Sequence, residues 1–262
     1  MCLVALALGA HRRFPFLLAA NRDEFHDRPA AAAAPWADAA HVVGGRDLRA
    51  GGSWLALGQH GAVAAITNFR DPTRRHPSPR SRGHLVGEFL RARRPAEAFA
   101  RDAAASGDAY DGFNLLLADG AGAWYVSNRG DRPRHLAPGI HALSNHLLGT
   151  PWPKVRKAAQ TLRESGNADA DELEAALFAM LADASPAPDE ELPETGVGLE
   201  WERRLAPVFI RSDDYGTRSS SVILSDRAGY TRFVERTFDR DGRFASEARF
   251  EIPLDRCLWP AR

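Results

Sequence analysis

The chain has 262 residues, and its 34 Lys and Arg balance its 34 Asp and Glu, so the formal net charge is zero. This balance gives no general electrostatic attraction to nucleic acid or to an anionic membrane, so we expect no nucleic-acid partner. Hydrophobic residues make up 44% and charged residues 26%, which is ordinary for a globular protein. Two cysteines, Cys2 and Cys257, are too few for a secreted disulfide scaffold and favour a reducing, cytoplasmic setting.

An apolar run from Cys2 to Gly9 follows the initiator Met1 directly. It is too short to span a membrane, and no basic segment precedes it as in a signal peptide. We therefore expect a cytoplasmic protein without an integral membrane segment. Nothing in the sequence addresses the oligomeric state.

This first run predicts a strand, and a second apolar run at 14–21 follows a short polar linker, which is typical of a hairpin. Pairing Gly9 with Phe14 sets Cys2 opposite Asn21 and leaves Asp23 just beyond the strand end. Both faces of each strand are apolar, which suits a sheet that is covered on both sides. The register brings three charged residues near the chain terminus: Arg22, Asp23 and Glu24.

The rest of the chain alternates blocks of strands with blocks of helices. The Ala- and Pro-rich residues 30–40 predict a loop, residues 53–68 a hairpin, and the Arg-rich residues 69–82 an exposed loop that can bind an anion but is more often simply solvated. We predict helices at 83–93, 96–105, 154–164 and 171–181, and strands at 114–118, 124–128, 139–144, 208–210, 219–224, 230–237 and 248–252. This order favours an α+β layered domain over a doubly wound one.

Cys2 is the first candidate for chemistry. Removal of Met1 would leave a thiol and a free α-amine on one residue, which are a nucleophile and its base. An α-amine has a pKa of about 8, so part of it is neutral at physiological pH and can accept the thiol proton. The alternative is a small apolar residue at the start of a buried strand, where free Cys is common.

Four polar residues, Asn21 to Glu24, come directly after the second run. Such a block either caps a loop or lines a site at the sheet edge. A carboxylate beside an N-terminal amine would hold and orient it as the ammonium, which makes Asp23 the candidate for that contact. Arg22 and Glu24 are candidates for pairing with each other or with loops.

Asn68 and Asn145 each end an apolar strand. An amide donor at such a position can stabilise a developing oxyanion, an effect of roughly 3–4 kcal/mol for one donor, although Asn is also common in turns. Arg218 precedes another strand. A buried Arg near a thiol lowers the thiol pKa, whereas an exposed Arg is solvated surface.

Together these motifs resemble the NRDE family, also called the transport-and-Golgi-organisation-two family. The resemblance implies an N-terminal-nucleophile (Ntn) hydrolase-like fold in a single domain over 1–262, a four-layer αββα sandwich of two mostly antiparallel sheets between helices. The motifs that carry it are Met1-Cys2, Asn21-Arg22-Asp23-Glu24, Ile66-Thr67-Asn68-Phe69-Arg70, Leu143-Ser144-Asn145 and Gly216-Thr217-Arg218-Ser219-Ser220.

The Cys-type Ntn amidases, bile-salt hydrolases and penicillin V acylases, are similar at the same places. Their catalytic nucleophile, amine-binding Asp, two active-site asparagines and arginine correspond here to Cys2, Asp23, Asn68, Asn145 and Arg218. Those amidases carry an Arg three residues before the Asp, where this chain has Ala20. Arg22 would compensate only by turning inward. The other polar residues of the motifs are expected to contact a ligand: Asn21, Arg22, Glu24 and Arg70.

Three functions follow as hypotheses. The first is hydrolysis of a non-peptide C–N bond in a small molecule, with Cys2 as nucleophile and no cofactor required. The second, implied by the resemblance, is non-catalytic binding of haem or of acyl-CoA and other lipids in the same pocket, where a thiolate can ligate haem iron. The third is a structural role without a ligand. No histidine pair has metal-ligand spacing, so we expect no metal site.

Overall fold

The computed structural model describes residues 2–74, 80–166 and 168–260. Met1, which begins the first motif, and residues 75–79 of the predicted Arg-rich loop lie outside the described residues. The described strands are β1 (Cys2–Leu8), β2 (Phe16–Phe25), β3 (Ala30–Trp36), β4 (Ala39–Asp47), β5 (Leu55–Gly58), β6 (Ala62–Asn68), β7 (Phe113–Asp119), β8 (Gly122–Ser127), β9 (Arg134–His135), β10 (Gly139–Leu143), β11 (Tyr215–Ser225), β12 (Tyr230–Phe238) and β13 (Phe244–Pro253). The described α-helices are α1 (His84–Ala92), α2 (Ala96–Ala105), α3 (Pro153–Glu164), α4 (Ala170–Leu181) and α5 (Leu199–Leu205).

The strands form two antiparallel sheets. Sheet A has the order β10-β1-β2-β11-β12-β13, and sheet B has the order β3-β4-β5-β6-β7-β8-β9. One apolar cluster fills the space between the sheets, a second lies between sheet A and α3 with α4, and a third lies between sheet B and α1 with α2. The predicted α+β, four-layer αββα sandwich is therefore confirmed.

The apolar alternation of β1 explains why the strand lies at the centre of this packing. Leu3, Ala5 and Ala7 pack toward the helices, whereas Val4 and Leu6 pack between the sheets. Side chains alternate with a period of two along a strand, so a strand that is apolar at every position is buried on both faces. Burial of both faces is what the sequence predicted.

The predicted register of the first hairpin is wrong by one residue. Cys2 pairs with Arg22 rather than with Asn21. The reason is the turn: Gly9 adopts a φ of 60°, and its N–H donates to the carbonyl of Pro15 at 2.7 Å, which lengthens the loop. A slip of one residue exchanges the two faces of a strand, so Arg22 now shares the inter-sheet face with Cys2.

Asp23 also lies inside a strand rather than beyond its end. β11 pairs with β2 as far as Phe25, and Thr217 is the partner of Asp23. The second strand therefore continues past the apolar run because its polar end is hydrogen-bonded to a neighbour that is distant in sequence.

Two further predictions are wrong, and one helix was not predicted. Residues 30–40 form β3 and the start of β4 instead of a loop, and Pro35 is tolerated because β3 lies at the edge of sheet B. Residues 208–210 are buried but form no strand. The N–H of Phe209 donates to the carbonyl of Asp183, which lies in a loop after α4 and not in a neighbouring strand. The unpredicted helix is α5.

α4 offers a test of local stability. The carboxylate of Asp169 accepts the N–H groups of Asp171 and Glu172 at 3.0 Å, and the Glu172 side chain accepts the Asp169 N–H at 3.1 Å. Asp169→Ala should lower the free energy of unfolding by about 0.5–2 kcal/mol in urea denaturation. The exposed Glu190→Ala is the control, expected within about 0.5 kcal/mol of the parent; an equal loss in both would contradict the capping role.

Candidate active site

Cys2, the first residue of β1, lies in the wall of a cavity of about 400 Å³ between the two sheets. Five of the nine sequence-predicted site residues line this one cavity: Cys2, Arg22, Asp23, Glu24 and Asn68. The side chain of Cys2 is half-buried, and its carbonyl accepts a hydrogen bond from Ser144 Oγ at 2.8 Å. The sulfur is thus neither sealed in the core nor free on the surface.

The two asparagines are in direct contact. Asn145 Nδ2 donates to Asn68 Oδ1 at 2.8 Å and to the Asn68 carbonyl at 3.1 Å. This contact occupies Oδ1 of Asn68 and leaves its Nδ2 group as the donor available to a ligand. Asn145 itself is fully buried. Asn68 therefore faces the cavity, while Asn145 holds it in place.

A hydrogen-bond network fixes this arrangement across the two sheets. Thr67 Oγ1 donates to the carbonyl of Ser144 at 3.0 Å, and Asn114 Nδ2 donates to Thr67 Oγ1 at 3.1 Å. Tyr125 donates from its hydroxyl to Asn114 Oδ1 at 2.7 Å. These buried bonds join the ends of β6 and β7 in sheet B to the segment that follows β10 in sheet A.

Arg22 turns inward. Its side chain is almost fully buried, its guanidinium lies 4.4 Å from the centre of the Trp54 ring, and Nη1 has no hydrogen-bond partner among the described residues. Glu24 lies in the same wall, and its Oε2 atom is 3.8 Å from Nε of Arg28. The guanidinium of Arg28 also forms a salt bridge with Asp47. The position of Arg22 supplies a positive charge on the face of β2 that also carries Ala20.

Arg82 is a cavity residue that the sequence did not single out. It lines the wall beside Cys2, and burial lowers its pKa, an effect that the neighbouring Cys2 and Glu24 oppose. The Arg-rich composition of residues 69–82 was the only sequence signal for it. The expectation of a wholly exposed loop is wrong at both ends, because Arg70 is buried and Arg82 faces the cavity.

Asp23 faces the helix side of sheet A and is almost fully buried. Its Oδ1 accepts a hydrogen bond from Thr217 Oγ1 at 2.7 Å. Burial raises the pKa of Asp23, and the ammonium of Lys154 opposes that shift. Lys154, the second residue of α3, is a further charged group near the site that the sequence analysis missed, since a single Lys in an amphipathic helix carries no motif.

Arg70 lies behind the asparagines rather than in the cavity wall. Its guanidinium pairs with the buried carboxylate of Glu202 on α5 and stacks 4.6 Å from the centre of the Trp152 ring. Its backbone N–H donates to the carbonyl of Asn145 at 2.7 Å. The residue therefore braces the segment that carries Asn145.

Asn21 and Arg218 are not among the residues that line the cavity. Asn21 Nδ2 donates to the carbonyls of Leu181 and Val208, both at 2.8 Å, so it joins sheet A to the outer segments. Arg218 sits at a β-bulge, and its Nη1 donates to backbone carbonyls, the nearest being that of Phe25 at 3.1 Å. The side chain therefore contacts the end of β2 and the turn that follows it.

A surface groove of about 700 Å³ adjoins the cavity and shares Glu24, Asn68 and Arg82 with it. Its remaining lining is mainly apolar and includes Phe25, Val197, Trp201, Leu205 and Tyr215.

Over the described ranges, no helix combines the length and the apolar character needed to cross a membrane.

Comparison with known proteins gives a family and a distant structural likeness. The profile of the family described as Transport and Golgi organisation 2 matches residues 1–240. The Transport and Golgi organization protein 2 homolog of Bos taurus is 38% identical over 240 residues, covering 86% of this chain and 87% of its own. The Homo sapiens homolog is 34% identical over 258 residues, covering 92% and 93%.

Two solved structures are similar at low identity. A Caenorhabditis elegans ortholog of N-acylethanolamine-hydrolyzing acid amidase has a TM-score of 0.42 and 14% identity, covering 85% of this chain and 92% of its own. The C2A mutant of the conjugated bile acid hydrolase from Clostridium perfringens has a TM-score of 0.47 and 10% identity, covering 95% and 92%. Nothing about the activity of this chain follows from likenesses so distant.

Proposed function

We propose that this chain, which belongs to the Transport and Golgi organisation 2 family, is an N-terminal-nucleophile hydrolase that cleaves a non-peptide amide bond of a small molecule. The observation that carries the proposal is the placement of Cys2 and Asn68 in one cavity wall, with Asn145 bonded behind Asn68. A thiol and an amide donor that face the same space are the two groups that acyl transfer requires.

Maturation of the chain comes first: removal of Met1 exposes the α-amine of Cys2. That amine accepts the thiol proton as Sγ attacks the substrate carbonyl, and a tetrahedral intermediate forms. The C–N bond then breaks, the proton passes to the leaving amine, and a thioester remains on Cys2. Water attacks the thioester with the α-amine again as base, which releases the carboxylic acid and restores the thiol.

Asn68 is the oxyanion donor in this scheme. Its Nδ2 group is oriented by the bond from Asn145 to its Oδ1 atom, so the donor is positioned before the substrate arrives. A preorganised donor stabilises the charge that develops in the transition state without a cost of reorganisation at that moment. Asn145 is then a positioning residue.

The surroundings of the cavity support a substrate with two unlike ends. The cavity wall is formed mainly by charged and polar residues, which suits a small polar group and disfavours the broad apolar face of a porphyrin. The adjoining groove is lined by apolar and aromatic side chains, which suits the acyl part of an amide. Asn68 lies at the junction of the two spaces, where the scissile carbonyl would sit.

A panel of small N-acyl amides with varied acyl chain and amine tests this function. We expect the purified protein to release the amine from at least one member, with a thioester on the N-terminal peptide after acid quenching. A haem titration on the same preparation tests the binding alternative. A Soret shift at stoichiometric haem that is absent in Cys2→Ala, together with no amine release, would favour ligation over hydrolysis.

Removal of the oxyanion donor gives a quantitative prediction. Asn68→Ala should lower kcat on the best amide by about 10²–10³-fold, since one donor to the oxyanion contributes that much elsewhere. Steady-state kinetics measure it. Ser185→Ala, at an exposed position outside the cavity lining, is the control and should change kcat by less than about threefold. An unchanged kcat in Asn68→Ala would remove Asn68 from the mechanism.

A further inference from the structure

Lys154 is a buried ammonium without a hydrogen bond. Its side chain is 3% exposed, and Nζ has no hydrogen-bond partner among the described residues. Burial of an unpaired ammonium is strongly unfavourable, so such a group is held only where opposite charge lies close by. The position of Lys154 therefore needs an electrostatic explanation.

The packing of α3 places this charge behind the cavity wall. Val155, the next residue of the helix, packs in the same cluster as Leu3, the neighbour of Cys2 in β1. Asp23 projects from β2 on this helix-facing side of sheet A. Lys154 is thus on the helix side of sheet A, close enough to Asp23 and Cys2 for their charges to affect it.

In the described part of the chain, four charged or titratable groups act electrostatically on Lys154, each from a different element. They are Asp23 from β2, Cys2 from β1, Glu202 from α5 and Arg70 from the segment after β6. Glu202 and Arg70 pair with each other, and Asp23 has the largest of these charge effects on Lys154. On the cavity side, Arg22 and Arg82 are the cations beside Cys2.

A lone carboxylate beside the mature Cys2 amine would hold that amine as an ammonium, which cannot accept the thiol proton. A second cation that shares the negative charge of the carboxylate removes this obstacle, and a cation near a thiol also favours the thiolate. Arg22 and Arg82 supply positive charge on the cavity side of sheet A, and Lys154 is a buried cation on its helix side.

We propose that Lys154 is a positioning residue that supplies this buried positive charge, offsetting Asp23 and favouring the thiolate of Cys2. The role of this charge in catalysis rests on the proposed function, whereas the test below measures only the reactivity of the Cys2 thiol. Burial lowers the pKa of Lys154 to about 8, an effect that Asp23 opposes, so the ammonium is the main form at neutral pH.

The test is the rate of Cys2 alkylation by iodoacetamide as a function of pH, measured in a Cys257→Ala background so that Cys2 is the only thiol. In Lys154→Met we expect the pH of half-maximal rate to rise by about one unit. The rate at pH 7 should then fall about tenfold, while the plateau at high pH stays unchanged. Lys154→Arg keeps the charge and should stay within about twofold of the parent.

Lys157→Met is the matched control, since Lys157 lies one turn along α3 with its side chain about half exposed and paired with Asp183. It should leave the pH profile unchanged. A folded Lys154→Met protein with the parent profile would overturn the proposal. So would a rate lowered by the same factor at every pH, because that result indicates a structural role alone.

Lys154→Met removes one of the cations that offset the burial of the Asp23 carboxylate, so a second pair of variants covers the case in which the protein does not fold. Asp23→Asn is compared with Asp23→Asn combined with Lys154→Met, and the added change should still slow alkylation at pH 7 about tenfold. Equal rates in the two would overturn the proposal. Alkylation needs no substrate, so absence of amide hydrolysis in the parent would count against the proposed function and not against this inference.

Discussion

Replacement of Cys2 by alanine is expected to lower amide hydrolysis by a factor on the order of 10⁴–10⁶, because loss of a nucleophile removes the covalent route entirely. The half-buried position of Cys2 in the cavity wall indicates that the fold does not depend on its sulfur. The thermal midpoint of Cys2→Ala should therefore stay close to that of the parent. Amine release from the best amide of the panel measures the loss.

Cys257 provides the matched control. It is also half-buried and free, but it is not among the residues that line the cavity. Cys257→Ala should retain the parent rate within about twofold. Equal activity in Cys2→Ala and the parent would end the proposed mechanism, and equal loss in both cysteine variants would indicate a general effect of thiol removal.

Breaking the Arg70–Glu202 pair is expected to have the largest effect on stability. Both side chains are buried, and Glu202 also accepts the Thr195 N–H at 2.9 Å. Arg70→Met would leave the Glu202 carboxylate buried without its cation, which costs about 3–5 kcal/mol of unfolding free energy. Urea denaturation measures this loss.

Two variants separate the lost pair from lost packing. Arg70→Met combined with Glu202→Gln removes both charges and should recover a clear part of the stability. Arg101→Met breaks an exposed pair with Glu97 on α2 and should change stability by less than about 0.5 kcal/mol. A double variant as unstable as Arg70→Met would assign the loss to packing against Trp152.

The layered architecture could be predicted because strands that are apolar on both faces must be covered on both sides. β1 is apolar on both faces, so it must lie between two apolar layers, and the structure places it there. Cys2, Asp23 and Asn68 were singled out for their places in the pattern or the chain. All three border the cavity, although the Asp23 carboxylate is bonded to Thr217 on the helix side of sheet A.

The errors come from features that a linear pattern does not contain. The register of the first hairpin depends on the positive φ of Gly9 and its bond to the Pro15 carbonyl. The orientation of Arg218 depends on a β-bulge, which alternation along a strand cannot reveal.

Arg82 and Lys154 were missed for a different reason. Each is a common residue type in an ordinary local context, one in an Arg-rich loop and one in an amphipathic helix. Only the tertiary fold brings them to Cys2, Arg82 on the cavity side and Lys154 on the helix side of sheet A. The charge around the nucleophile is therefore set by distant parts of the chain.

The central claim is that the mature terminus is a cysteine whose thiol and amine act together, and mass spectrometry of the purified protein tests it most directly. After brief treatment with a limiting amount of iodoacetamide at pH 7, we predict an N-terminal peptide that begins at Cys2 and carries the alkyl group, with Cys257 largely unmodified. Met1 retained on every molecule, or modification of Cys257 in preference to Cys2, would contradict the account.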